Sequence, residues 1–203
     1  MTNTDPRPLY AEAISWTHGI MAGVDADRLE SPTPCTEFDV RTLMSHLVAT
    51  VERARVIGEG GDFTSIPVLR TGIPDAELAT AYGAAAEKTL AVWSDDAVLD
   101  RPVTVPWGTV PGRASLWGYL NETLVHGWDL AVATGQPAEA DPALAEAVLQ
   151  VAGTLLPAER RGGPVPFEAP VAPRDDAGPT ERLANWSGRA VPSAGVGHHG
   201  NTE

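Results

Sequence analysis

The sequence predicts an all-α protein. Four long stretches repeat apolar residues three and four positions apart, the period of a helix with one buried face. Glycine- and proline-rich segments divide them. The one β candidate is a short stretch in which Val103, Val105 and Val110 flank Pro106-Trp107-Gly108, a hairpin or an extended loop.

Residues 1–8 are polar, with two prolines, and are expected to fray. The first helix is expected over Leu9–Asp27, with Leu9, Ala13, Trp16, Ile20 and Val24 inward and His18 solvated on the far side. Pro32 and Pro34 then force an extended loop. Asp39 is placed to cap a second helix beginning at Val40, whose apolar stripe is Val40, Leu43, Leu47, Val51 and Ala54. His46 falls at the edge of that stripe, about 100° from Leu47. On its own it reads as a boundary histidine hydrogen-bonded to a neighbour. Gly58, Gly60 and Gly61 end the helix and open a loop to Pro74. The GEGG run is no phosphate loop, because no strand precedes it and no Gly-Lys-Ser/Thr follows.

A third helix is expected over Asp75–Trp93, with Leu78, Tyr82, Ala85, Thr89 and Trp93 inward. The helical period lapses from Ser94 to Gly112. The fourth long stretch, Leu116–Thr134, carries the stripe Leu116, Leu120, Leu124, Gly127 and Ala131. Gly127 lowers helix propensity by roughly 1 kcal/mol against alanine, so close packing on a neighbouring helix is expected there. Gly135-Gln136-Pro137 stops the helix, and Asp141-Pro142 starts another that runs to about Leu156. The expected organisation is a helical metal-binding bundle over 1–156, an extended arm and short helix over 157–192, and a disordered glycine-rich tail over 193–203. The short helix is expected over Thr180–Gly188, with Leu183 and Trp186 inward. The His198-His199 pair lies in the tail and is read as a chance pair.

Composition narrows the function. Of 203 residues, 43% are hydrophobic and 20% charged, a globular balance. A net charge of −13 argues against nonspecific nucleic-acid binding, and no basic run suits an anionic membrane surface. No apolar run approaches the ~20 residues of a membrane span, and MTNTDPRPLY has no signal-type apolar core. Cys35 is the only cysteine, so no internal disulfide forms and the cytoplasm is the expected compartment. Cys35 is expected to pack in its loop and take no part in catalysis. A small-molecule substrate, and a monomer or homodimer, are expected.

The chemistry gathers on the fourth long helix. Glu122 and His126, four residues apart, project about 40° from one another, a spacing that can offer two ligands to one ion. Most such pairs are solvated surface, and a third ligand from another helix is needed. His46 on the second helix can supply it, since bundle metal sites draw inward side chains from different helices. Asp129 can orient a ligand histidine, although a solvated aspartate near the helix end is the expected reading. With one cysteine a four-thiolate structural zinc is excluded, and three ligands with an open position suit catalysis better. No G-x-S-x-G elbow is present.

Two of these segments carry a family resemblance. Pro34-Cys35-Thr36-Glu37-Phe38-Asp39-Val40-Arg41-Thr42-Leu43 with His46-Leu47-Val48 resembles the first signature of the DinB-like superfamily, in its mycothiol-dependent maleylpyruvate isomerase N-terminal-domain group. Asn121–Ala131, with Glu122-x-x-x-His126 before Gly127-Trp128-Asp129, is similar to that group's second signature. Pro164–Pro173 and Thr180–Arg189 resemble the tail of short single-domain members, so the likeness spans roughly residues 9–192. Phe38 stands where tryptophan is usual.

The resemblance implies a DinB-like four-helix bundle with an additional C-terminal helix and an extended arm. It also implies a divalent metal, zinc, on His46, Glu122 and His126. A low-molecular-weight thiol such as mycothiol would serve a transferase or isomerase reaction on a small molecule. The isomerase itself has a further C-terminal domain with a functional arginine, which this chain is too short to hold whole. A non-enzymatic metal- or ligand-binding protein, and a thiol-independent metal-assisted hydrolase, use the same three ligands.

Overall fold

A computed structural model describes residues 4–155, 157, 161 and 168–191. The elements in order are helices α1 (Arg7–Ala22), α2 (Val40–Gly58), α3 (Leu78–Trp93) and α4 (Asp96–Asp100), and strands β1 (Pro102–Val105) and β2 (Gly108–Pro111). Helices α5 (Gly112–Thr134), α6 (Pro142–Leu155) and α7 (Pro179–Trp186) follow. The fold is an all-α bundle. Its strands form a single antiparallel hairpin, with Val103 opposite Val110 and Val105 opposite Gly108. The tail pair His198-His199 lies outside the described residues.

Helix α2 starts where the capping chemistry requires. Asp39 accepts a hydrogen bond from the Thr42 backbone N–H at 2.8 Å. All five residues of its expected stripe are buried, as are all five of α3. Thr89 at the foot of α3 donates to the Val51 carbonyl at 2.9 Å, and the Trp93 indole donates to Ala54 O at 3.0 Å. These buried cross-helix bonds fix the α2–α3 pair, since a lone buried donor is costly.

Helix α5 is the centre of the molecule. Leu116, Leu120, Leu124, Val125, Trp128, Leu130 and Ala131 are all buried and cover most of its circumference, and the remaining side carries Glu122, His126 and Asp129. A helix enclosed on nearly every side keeps little solvent face. Gly127 marks its closest approach to α1. A Cβ there would lie 2.7 Å from Thr17 Oγ1 and would run into the Trp16 ring. The expected tight packing at this glycine is present.

Four expectations are corrected. The first helix is Arg7–Ala22, not Leu9–Asp27. Pro8 is tolerated in its first turn, and the chain leaves the helix at Gly23, whose N–H returns to Gly19 and Ile20 carbonyls. Its buried face is Tyr10, Ala13, Ile14, Thr17, Ile20 and Met21, turned from the expected stripe because Thr17 donates to the buried Thr123 carbonyl of α5 at 3.2 Å. His18 is half-buried, not solvated, and stacks on Tyr82 with ring centres 6.2 Å apart. The short last helix is Pro179–Trp186 instead of Thr180–Gly188. Leu183 is buried, but Trp186 is only half-buried. Asp129 is completely buried, for a reason that belongs to the site.

Candidate metal centre

Three side chains from two helices meet at one end of the α2–α5 contact. His46 comes from α2, Glu122 and His126 from α5. One ligand atom from each lies within 4.8 Å of the others. The two imidazole rings sit edge to face, centres 5.0 Å apart, and Phe38 covers His46 at 5.1 Å.

The far nitrogen of each imidazole is held by an oxygen that can only accept. His46 Nδ1 lies 3.0 Å from the Val68 carbonyl. His126 Nδ1 lies 3.0 Å from Asp129 Oδ2. Each Nδ1 therefore carries the proton and donates it, which turns both Nε2 atoms toward the shared space. His126 Nε2 is 3.3 Å from Glu122 Oε2, and His46 Nε2 is 3.3 Å from the Thr50 hydroxyl.

Charge follows the same layout. Burial, together with the neighbouring His126, pulls His46 down to about 4, so it is a neutral imidazole at pH 7. Burial also pulls on His126, but the hydrogen bonds to Asp129 and Glu122 outweigh it and raise this group to about 9. Glu122 is pushed up by burial, yet the His126 contact prevails and holds it below its ordinary range. Cys35, buried nearby, is pushed up to about 11.

Behind His126 stands a residue from the far end of the chain. Arg189 Nε donates to Asp129 Oδ2 at 3.0 Å and to Oδ1 at 3.2 Å. Its position depends on α7. Glu139 accepts from the Thr180 and Glu181 backbone N–H groups at 2.9 and 3.1 Å, capping α7 from a distant loop. Gly188, at φ +88°, then reverses the chain so that the Arg189 N–H reaches Ala184 O at 2.9 Å. Asp129 is buried because Arg189 covers it.

The centre opens into a cavity of about 500 Å³. Phe38, Trp107, Trp117 and Tyr119 give it apolar walls. Arg53, Asn121 and Arg189 are among its polar lining. Trp107 comes from the tip of the β1–β2 hairpin and lies over Gly118, 6.3 Å from the Tyr119 ring centre.

The structure brings His46 from the second helix beside the Glu122/His126 pair, whose spacing put both on one face. It adds residues that periodicity did not single out: Arg53, Asn121, Trp107 and Arg189. It also sets Cys35 Sγ within 4.8 Å of ligand atoms of His126 and Asp129, a second group that can hold an ion. The signal for Arg189 was present in the Thr180–Arg189 segment, but nothing local pointed to its partner 60 residues away.

A bundle with a cluster of two imidazoles and a carboxylate beside a ligand-sized cavity is that of a candidate metal-binding helical protein. The family model for the mycothiol maleylpyruvate isomerase N-terminal domain matches residues 10–131, and the chain belongs to that DinB-like family. Two relatives from Mycobacterium tuberculosis strains, uncharacterized protein MT0763 and uncharacterized protein Rv0738, are each 33% identical over 189 residues. The match covers 92% of this chain and 99% of each relative. No solved structure matches the chain significantly. No helix among the described residues is long and apolar enough to cross a membrane.

Proposed function

We propose that the chain binds one divalent ion, zinc, through His46 Nε2, Glu122 and His126 Nε2, and uses it with a low-molecular-weight thiol such as mycothiol in a transferase or isomerase reaction on a small molecule. The observation that carries this is the pairing of convergence with pinning. Three N/O donors meet within 4.8 Å, and both histidines have the opposite nitrogen tied to an acceptor. Metal-binding histidines characteristically show that arrangement. Two imidazoles and a carboxylate also suit zinc with a position left open.

The alternative group of Cys35, His126 and Asp129 is a poorer host. The Arg189 guanidinium already occupies the Asp129 carboxylate, and a cation there repels a second cation. His126 Nδ1 donates to Asp129 and has no lone pair to offer.

When bound, the ion favours thiolate over thiol, and thiolate is the nucleophile. The protein's own groups do the rest. Asp129 holds His126 in its Nδ1–H tautomer, and Arg189 holds Asp129. The aromatic walls of the cavity offer apolar surface to a small substrate. The acidic chain has no electrostatic reason to bind nucleic acid. We place it in the cytoplasm as a monomer or homodimer.

Metal analysis of purified protein should return about one equivalent of zinc per chain. In cobalt-substituted protein, mycothiol should raise a sulfur-to-metal charge-transfer band. His126→Ala should lose more than the 10–100-fold in affinity typical of changes behind a ligand. Full-strength metal binding in that variant would refute the ligand set. Tight metal binding with no thiol-induced band would refute the thiol.

A further inference from the structure

The cavity beside the centre holds a side chain that the fold leaves unsatisfied. Asn121, one residue before Glu122 on α5, is 97% enclosed, with 3% of its surface exposed, and lines the cavity. Among the described residues its Oδ1 has no hydrogen-bond partner, and no side-chain hydrogen bond involves its amide. Two other enclosed polar groups on α5 are matched internally, whereas Ser115 Oγ, outside the cavity lining, is also without a partner. Thr123 donates to Tyr119 O at 2.8 Å, and His126 donates to Asp129. A buried amide left this way costs free energy in the empty protein, and a ligand that completes it recovers that cost. Exchanging the amide oxygen and nitrogen changes nothing here, because both ends are free.

We propose that Asn121 is a specificity residue that reads an amide group on the thiol ligand. This rests on the thiol reading above. A carboxamide offers one acceptor and two donors. Its full complement is a group with an N–H and a C=O side by side, which is a secondary amide. An ester or a ketone presents only acceptors and leaves Asn121 Oδ1 orphaned. Asn121 and Glu122 are consecutive, with Cα atoms about 3.8 Å apart. Asn121 and the three candidate ligands line the same cavity, so one small molecule can place its sulfur at the metal and an amide at Asn121. The ligand class is a small thiol that bears an amide and fits the cavity of about 500 Å³. Glu37, Thr50, Arg53 and Arg189 also line the cavity, but among the described lining residues Asn121 is the one carboxamide, able to donate and accept side by side.

The test uses cobalt-substituted full-length protein and reads affinity from the charge-transfer band. The probes are N-acetylcysteamine and its isosteric ester, 2-mercaptoethyl acetate, which replaces the N–H with oxygen. Wild type should bind the amide about tenfold more tightly, the worth of one well-placed hydrogen bond. In Asn121→Leu the two affinities should converge, with the ester hardly changed. Equal affinities in wild type, which need no variant to fold, overturn the proposal while the thiol reading stands. A tenfold preference that survives in Asn121→Leu also overturns it, since another group then reads the amide. A band with neither probe removes the thiol reading and this inference together.

Discussion

At the residue scale, the two histidines are alike in sequence and opposite in charge. His46 is held near 4 and His126 near 9. To coordinate through Nε2, His126 must first lose a proton, whereas His46 has none to lose. Below pH 9, ion uptake therefore releases about one proton per chain, and apparent affinity rises about tenfold per pH unit from pH 6 to 9. Calorimetric zinc titrations in buffers of different ionisation enthalpy should give that proton count. A count near two would mean that His46 is also charged in the free protein. Cys35 supplies a second expectation. Burial raises it to about 11, so almost none is thiolate at pH 7.5. Iodoacetamide should label it at least tenfold more slowly in folded than in urea-unfolded protein. Comparable rates would show a reactive thiol and reopen its role. Asp129 shows where sequence reasoning stops. A helical wheel puts it near the end of α5 and suggests solvent, but its burial is set by Arg189, which local periodicity cannot see.

At the element scale, the bundle helices were legible and their accessories were not. Helices α2, α3 and α5 announce themselves through apolar period, with the Asp39 cap before α2 and Gly135 after α5, and the period lies in the side chains that become the core. The glycine at 127 was legible too, because a helix accepts glycine at a cost that packing must offset. Helix α4 has five residues and is too short for a period to show. Helix α7 is short as well, and it is held by Glu139 from outside. That cap makes a prediction. Glu139→Ala removes the acceptor for two backbone N–H groups and should cost about 1 kcal/mol. The loss should loosen α7 and with it Arg189, so zinc affinity should fall several-fold although residue 139 touches no proposed ligand. Arg189→Met should weaken zinc binding by about 10–100-fold through Asp129. If the Arg189 variant binds zinc as wild type does, α7 contributes only to stability.

At the scale of the whole molecule, the question is whether the fold needs its ion. Small zinc domains unfold without metal because the ligands are most of their core. Here the core is Trp93, Trp128, Tyr10, Tyr82 and many leucines, all fully enclosed without help from the centre. The metal-free centre is also balanced in charge. Protonated His126 and Arg189 face Glu122 and Asp129, two cations against two carboxylates, and His46 is neutral. Chelation therefore removes the ion without leaving bare buried charge. Far-UV circular dichroism should keep its helical amplitude after EDTA treatment and dialysis. Zinc at a hundredfold above Kd should add back about 2.7 kcal/mol, which for a chain of this size raises Tm by roughly 5–10 °C. The increment should vanish in His126→Ala, whose metal-free form should still unfold cooperatively. Loss of most helical signal on chelation would instead make the ion part of the core, and the centre would then be structural despite its open cavity.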